Sequence, residues 1–190
     1  LEGLSSEISA AATNGRVELR DLTGTINVVC ANGSIEAENL DGVLEASTAN
    51  GRITAKESRL SGGSVKSGNG RIALQVRPGT GGPLSVFAGA GRVELALPED
   101  ADFRIRVKTA GRLHNHLESY SVTTEKEATV VQKGSGAFEI LVQNFRGSVR
   151  LVKHDEFGKP WEEEGPFPGL ESEINDFFEK LSGYFESFPR

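Results

Sequence analysis

Thr13-Asn14-Gly15-Arg16-Val17-Glu18-Leu19 is followed by Ala31-Asn32-Gly33-Ser34-Ile35-Glu36-Ala37, Ala49-Asn50-Gly51-Arg52-Ile53-Thr54-Ala55 and Gly68-Asn69-Gly70-Arg71-Ile72-Ala73-Leu74. The glycines of these segments lie 18, 18 and 19 residues apart, and Ala90-Gly91-Arg92-Val93 and Ala110-Gly111-Arg112-Leu113 continue the beat at 21 and 20. A fixed period of this length marks a repeat architecture and takes precedence over local propensity. Between these turns Leu22-Thr23-Gly24, Leu40-Asp41-Gly42 and Leu60-Ser61-Gly62 keep the same beat, so each unit holds two turns and two short strands.

Apolar residues alternate along those strands: Val17/Leu19, Ile26/Val28, Ile35/Ala37, Leu44/Ala46, Ile53/Ala55 and Ile72/Leu74. Period two buries one face of a strand and leaves the other in water. Asn-Gly also suits a tight hairpin turn, since both central residues of that turn take positive φ. A meander of hairpins, however, has no reason to hold every second turn identical. Equal spacing favours units stacked one upon the next, with Asn or Gly at a left-handed corner. The expected fold is therefore all-β, a right-handed single-stranded β-helix over 1–153. An acidic Pro/Gly linker over 154–168 and an amphipathic α-helix over 169–190 complete the chain.

The division at 153 rests on charge as well as pattern. Residues 1–154 carry 18 Lys+Arg against 17 Asp+Glu, whereas 155–190 carry 3 against 10. In the acidic stretch Leu170, Ile174, Phe177, Phe178, Leu181, Tyr184, Phe185 and Phe188 fall on one helical stripe. That stripe is expected either to cap an open end of the β-stack or to dock a partner protein. Its acidic opposite face disfavours an anionic membrane surface.

The single Cys30 continues the apolar alternation of Ile26 and Val28 and reads as a buried thiol. The chain lacks Met and starts at Leu1, so it reads as a piece of a longer protein, with any signal or membrane anchor upstream.

Chemistry-bearing residues are sparse. Stacked turns would bring Arg16, Arg52, Arg71, Arg92 and Arg112 to equivalent corners, and guanidiniums recognise carboxylates and phosphates in bidentate fashion. An anionic glycan is the ligand such a column would take, although Ser34 interrupts it and Glu18, Glu36 and Glu94 stand near enough to neutralise part of it. His114 and His116 would share one side of a strand, but no third ligand is spaced for a metal. Glu99, Asp100 and Asp102 are the carboxylates to weigh for glycoside chemistry, and Asp102 reads better as a turn cap. No catalytic residue, metal or cofactor is assigned. A neutral body with one Trp lacks the basic and aromatic alternation of a nucleic-acid binder.

Ser47 to Ala55 follows the pattern T-x-N-G-x-I-x-A, Leu40 to Ala46 follows L-x-G-x-I-x-A with Leu44 at the Ile position, and Gly89 to Phe103 follows G-x-G-x-V-x-L-x-L-P-x-D-A-D-F. Together with the closing Gly147-Ser148-Val149-Arg150-Leu151, this order resembles the bacterial putative-adhesin families of β-strand repeats, relatives of the head GIN domains. The resemblance covers about 13–153. It implies a β-helix in the cell envelope or outside the cell, with no catalytic residues. Two functions are expected from these readings. One is a non-enzymatic envelope or extracytoplasmic module for binding or adhesion to a protein or anionic glycan. The other is a structural scaffold that self-assembles through its ends or its aromatic helix.

Overall fold

The computed structural model describes residues 5–125 and 128–159. In chain order the strands are β1 (Ser5–Asn50), β2 (Ile53–Asn69), β3 (Ile72–Pro78), β4 (Leu84–Ala90), β5 (Val93–Leu97), β6 (Phe103–Thr109), β7 (Leu113–Asn115), β8 (Ser121–Glu125), β9 (Ala128–Lys133), β10 (Phe138–Arg146) and β11 (Val149–Lys153). A 3₁₀ turn, His154–Glu156, follows.

The early repeats set a parallel register. Ile35 is level with Ile53 and Ala37 with Ala55 across β1 and β2. Ile72 and Leu74 of β3 continue those rows, and Val93 and Leu95 of β5 follow. On the other side Ala46, Val65 and Val86 form a row through β1, β2 and β4. Long β2 thus serves both arms of the sheet. Its first half pairs with β3 and its second half with β4.

Two stacked glycine corners show why this register is specific. Gly33 has φ +148°, and a Cβ there would lie 1.8 Å from the Gly15 carbonyl oxygen. Only the residue without a side chain lets consecutive rungs meet so closely. Beside the glycines an asparagine ladder runs along the stack: Asn32 Nδ2 donates to Asn14 Oδ1 at 3.2 Å, Asn50 to Asn32 at 3.0 Å and Asn69 to Asn50 at 3.0 Å. A further corner column is Asp21, Asn39 and Glu57, with φ of 52°, 53° and 46°. There Asn39 Nδ2 donates to Asp21 Oδ1 at 2.6 Å, and the Glu57 amide donates to Gln75 Oε1 at 3.3 Å.

The expected right-handed single-stranded β-helix is corrected by the sheet as a whole. The strands form one 11-stranded sheet, curled as a half-barrel, in the order β7-β11-β5-β3-β2-β4-β10-β6-β9-β8 with β1 against β2. A coil wound continuously along the chain would place β6 beside β4 and β7 beside β5. Instead β10 lies between β4 and β6, and β11 lies between β5 and β7. The β9 strand runs antiparallel to both β6 and β8. The physical cause is the loss of the even beat: Gly/Pro-rich 78–83 and the turn at 98–102 lengthen the connections, and β8 and β9 join the sheet antiparallel, out of the stacked register. The final β-strands then return to pair where two apolar rows still lack a neighbour. The expected C-terminal α-helix, with Leu170, Ile174, Phe177, Phe178, Leu181, Tyr184, Phe185 and Phe188, lies outside the described residues, as does the linker beyond Lys159.

The core is the space enclosed between the two arms. Leu19, Ile35, Ile53, Ile72, Val93, Leu95 and Val149 from one arm and Leu44, Val65, Leu84, Ile105, Ile140 and Val142 from the other are fully buried. Each such side chain contributes about 1.5–3 kcal/mol relative to exposure. A column of small polar residues inside the Gly corners satisfies backbone carbonyls. Ser67 Oγ donates to Gly51 O at 3.2 Å, Thr109 Oγ1 to Gly147 O at 3.1 Å and Asn144 Nδ2 to Gly91 O at 3.1 Å. Cys30, buried and free as its pattern indicates, fills the equivalent place with its Sγ 3.9 Å from Gly15 O.

Candidate functional site

Outward residues of the first arm follow from the same alternation. One row after the glycine corner reads Glu36, Thr54, Ala73, Glu94, Arg150 and His114 in register. Two positions further along, Glu38 is level with Lys56. The small side chains of Thr54 and Ala73 leave a depression of about 260 Å³ in this wall. Arg52, Lys56 and Arg71 stand around it, Glu36 and Glu38 close one side, and Phe157 with Gly158 forms the opposite rim.

The rim is fastened to the wall. Gly158 N–H donates to Glu94 Oε1 at 2.7 Å, and Arg71 Nη2 donates to the other oxygen of that fully buried carboxylate. Arg150 Nη1 donates to Lys159 O at 3.0 Å, and Gln75 Nε2 donates to His154 O at 3.0 Å. The segment after β11 is thus laid over β3, β5 and β11, whose outward residues Gln75, Glu94 and Arg150 are buried polar groups.

The five corner arginines of the sequence reading fare differently. Arg16 is engaged by Glu18 at 3.2 Å and Glu36 at 2.8 Å. Arg71 is committed to Glu94. Arg92 is exposed, and it does not adjoin Arg112, because Ser148 stands between them: Val93 N donates to Ser148 O at 3.0 Å, and Val149 N donates to Arg112 O at 2.9 Å. The structure brings together Arg52 and Arg71, on successive rungs, and adds Lys56. Arg52 and Lys56 are exposed, flank Thr54 on the outward side, and make no ion pair among the described residues. Sequence reasoning missed Lys56 and Phe157. Lys56 was legible as the outward residue four positions from Arg52; Phe157 carries no signal, since only the fold-back of the chain places it there.

The other sequence candidates have structural work. Asp102 accepts from Ser135 Oγ at 2.6 Å and from the amides of Ser135, Gly136 and Ala137 at 3.0, 2.5 and 2.8 Å. The Ser135 hydroxyl first, and then these amides, hold its carboxyl at about 2. The sequence reading has Asp102 capping its own turn; the structure has it capping the distant 135–137 loop instead. Glu99 lies 3.4 Å from Lys153. The Lys153 ammonium is raised above its ordinary value, chiefly by its hydrogen bond to Glu118. His114 is pulled below the ordinary imidazole value by desolvation and then by the charges of His116, Arg112 and Arg150. Among the described residues no group of three or more His, Cys, Asp or Glu is placed to hold a metal ion. No helix among them is long and apolar enough to cross a membrane.

Comparison with family models and with curated proteins finds no match. A solved structure described as a putative cell adhesion protein from Clostridium sporogenes is similar, with a TM-score of 0.43 and 9% identity over 79% of this chain and 92% of that one.

Proposed function

We propose that the chain is a non-enzymatic binding module that works outside the cytoplasm and holds an anionic group of a glycan on the outer wall of its first arm. The observation that carries this reading is the placement of Arg52 and Lys56. Both cations face one depression and make no ion pair among the described residues, on either side of the Thr54 hydroxyl. A carboxylate or sulfate seated over Thr54 would take charge-assisted hydrogen bonds from both, each contributing about 1.5–3 kcal/mol. Phe157 offers an apolar rim for the face of a sugar ring. Glu36 and Glu38 on the near side would repel a densely charged polymer, so an oligosaccharide with spaced anionic groups fits better. The setting follows the order of sequence motifs that resembles envelope adhesins.

Calorimetric titration with uronic-acid oligosaccharides tests this. The Arg52→Gln/Lys56→Gln double variant should weaken binding at least tenfold, with a neutral oligosaccharide of the same length as the blank. Equal affinity of the double variant and the unaltered chain, or equal affinity for the neutral sugar, sinks the proposal. Tight capture of an acidic protein in place of any glycan would redirect it to a protein ligand.

A further inference from the structure

A second pair of cations lies past the corner at Glu57. Arg59 of β2 and Arg77 of β3 are register partners on adjacent parallel strands, which places their backbones about 4.8 Å apart with side chains on the same side. Both are exposed, and neither makes an ion pair among the described residues. Asp41, the register neighbour of Arg59 on its other side, makes none either. Two guanidiniums held side by side repel each other, and an anion bridging them removes that repulsion.

The pair opens onto a depression of about 660 Å³ with the loop 79–81 as one wall. That wall is fixed. Gly79 N–H donates to Leu60 O at 2.7 Å, and the Gly81 backbone lies so close to the rung below that an added Cβ would sit 2.1 Å from Ser61 O. Thr80 projects from this pinned loop into the same lining. On the far side Asp102 is already committed to the 135–137 loop, and Asp100 is exposed.

We infer that this depression is an oxyanion site, separate from the Arg52–Lys56 wall, in which Arg59 and Arg77 together grip one carboxylate, phosphate or sulfate group and Thr80 adds a hydroxyl donor. Asp100 opposite disfavours a second negative charge on the same ligand, so a singly charged sugar acid is held better than a dianionic phosphate.

The test is a titration of isotope-labelled protein with glucuronate, inorganic phosphate and sulfate at constant ionic strength, followed by NMR. At ~10 mM ligand even a ~1 mM site is half-filled or more. The amides of Thr80 to Gly82 should shift with glucuronate. Arg59→Gln and Arg77→Gln should each raise the dissociation constant at least tenfold, while Arg59→Lys, which keeps charge but loses the fork, gives a smaller loss. Arg146→Gln, at an exposed arginine outside the depression, should leave it unchanged, and so should Arg52→Gln/Lys56→Gln. Retained thermal midpoints show that the variants fold. Absence of shifts with all three anions, or equal weakening by Arg146→Gln, overturns the inference. Tighter binding of phosphate than glucuronate overturns the part assigned to Asp100.

Discussion

At the scale of single residues, the glycine column separates two costs that usually arrive together. Gly15 and Gly33 both hold positive φ, at +106° and +148°, yet only Gly33 has the carbonyl of another rung where its Cβ would go. Gly15→Ala should therefore cost about 1–2 kcal/mol, the backbone strain alone. Gly33→Ala should cost upwards of about 3 kcal/mol, because the rungs must also part. Chemical denaturation of the two variants checks the difference, and equal losses would mean that the rungs separate freely. Asp102 sets a pH dependence. Its folded value of about 2 lies below the ordinary 3.8, so its contribution is complete above pH ~4 and is lost as pH falls towards ~2. The urea midpoint of Asp102→Asn should be lower at pH 6 and should fall less steeply over that acid range than that of the unaltered chain.

At the scale of elements, the small polar column beneath the glycines contains one exception. Ser67, Thr109 and Asn144 each donate to a glycine carbonyl, whereas the buried Thr48 hydroxyl has no hydrogen-bond partner among the described residues. Thr48→Val keeps the shape and removes an unsatisfied hydroxyl, so it should raise stability by about 1 kcal/mol. A loss of similar size in the denaturation midpoint would show that the hydroxyl is satisfied after all. These rows also show what the sequence could reveal. The spacing of Gly15, Gly33 and Gly51 announced the parallel register and the inward Ile and Leu rows, because close rung contact leaves glycine no substitute. The Asp21, Asn39 and Glu57 corner kept the same spacing but passed unnoticed. Glutamate is a poor marker of a left-handed residue, and only the Gln75 contact makes its conformation intelligible. The wall site was largely legible: Arg52 and Arg71 follow from the period and Lys56 from the outward alternation of β2, whereas Phe157 belongs to it only through the fold-back pinned on Glu94.

At the scale of the whole molecule, the order of strands was hidden for a specific reason. Gly111 and Gly147 both carry the corner signal, and the linear beat from Gly91 points to Gly111. In the structure an added Cβ at Gly147 would meet Gly91 O at 1.7 Å, and one at Gly111 would meet Gly147 O at 1.9 Å, so the later glycine takes the nearer place. Ending the chain after Gly136 removes β10 and β11 and should expose 103–133 to limited proteolysis while 5–97 stays resistant, as mass spectrometry of the fragments would record. Continued protection of 103–133 would mean that β6 and β7 settle on β4 and β5 unaided. The insertion also bears on the order of biosynthesis. A ribosome delivers β6 and β7 before β10 and β11, at ~5–20 residues per second, so for a second or more the berths of the last strands stand vacant. During that interval the newborn Ile105 and Leu113 can lodge one level too deep, on apolar rows of the same kind as their own. A molecule caught there reaches the finished order only by withdrawal and re-entry.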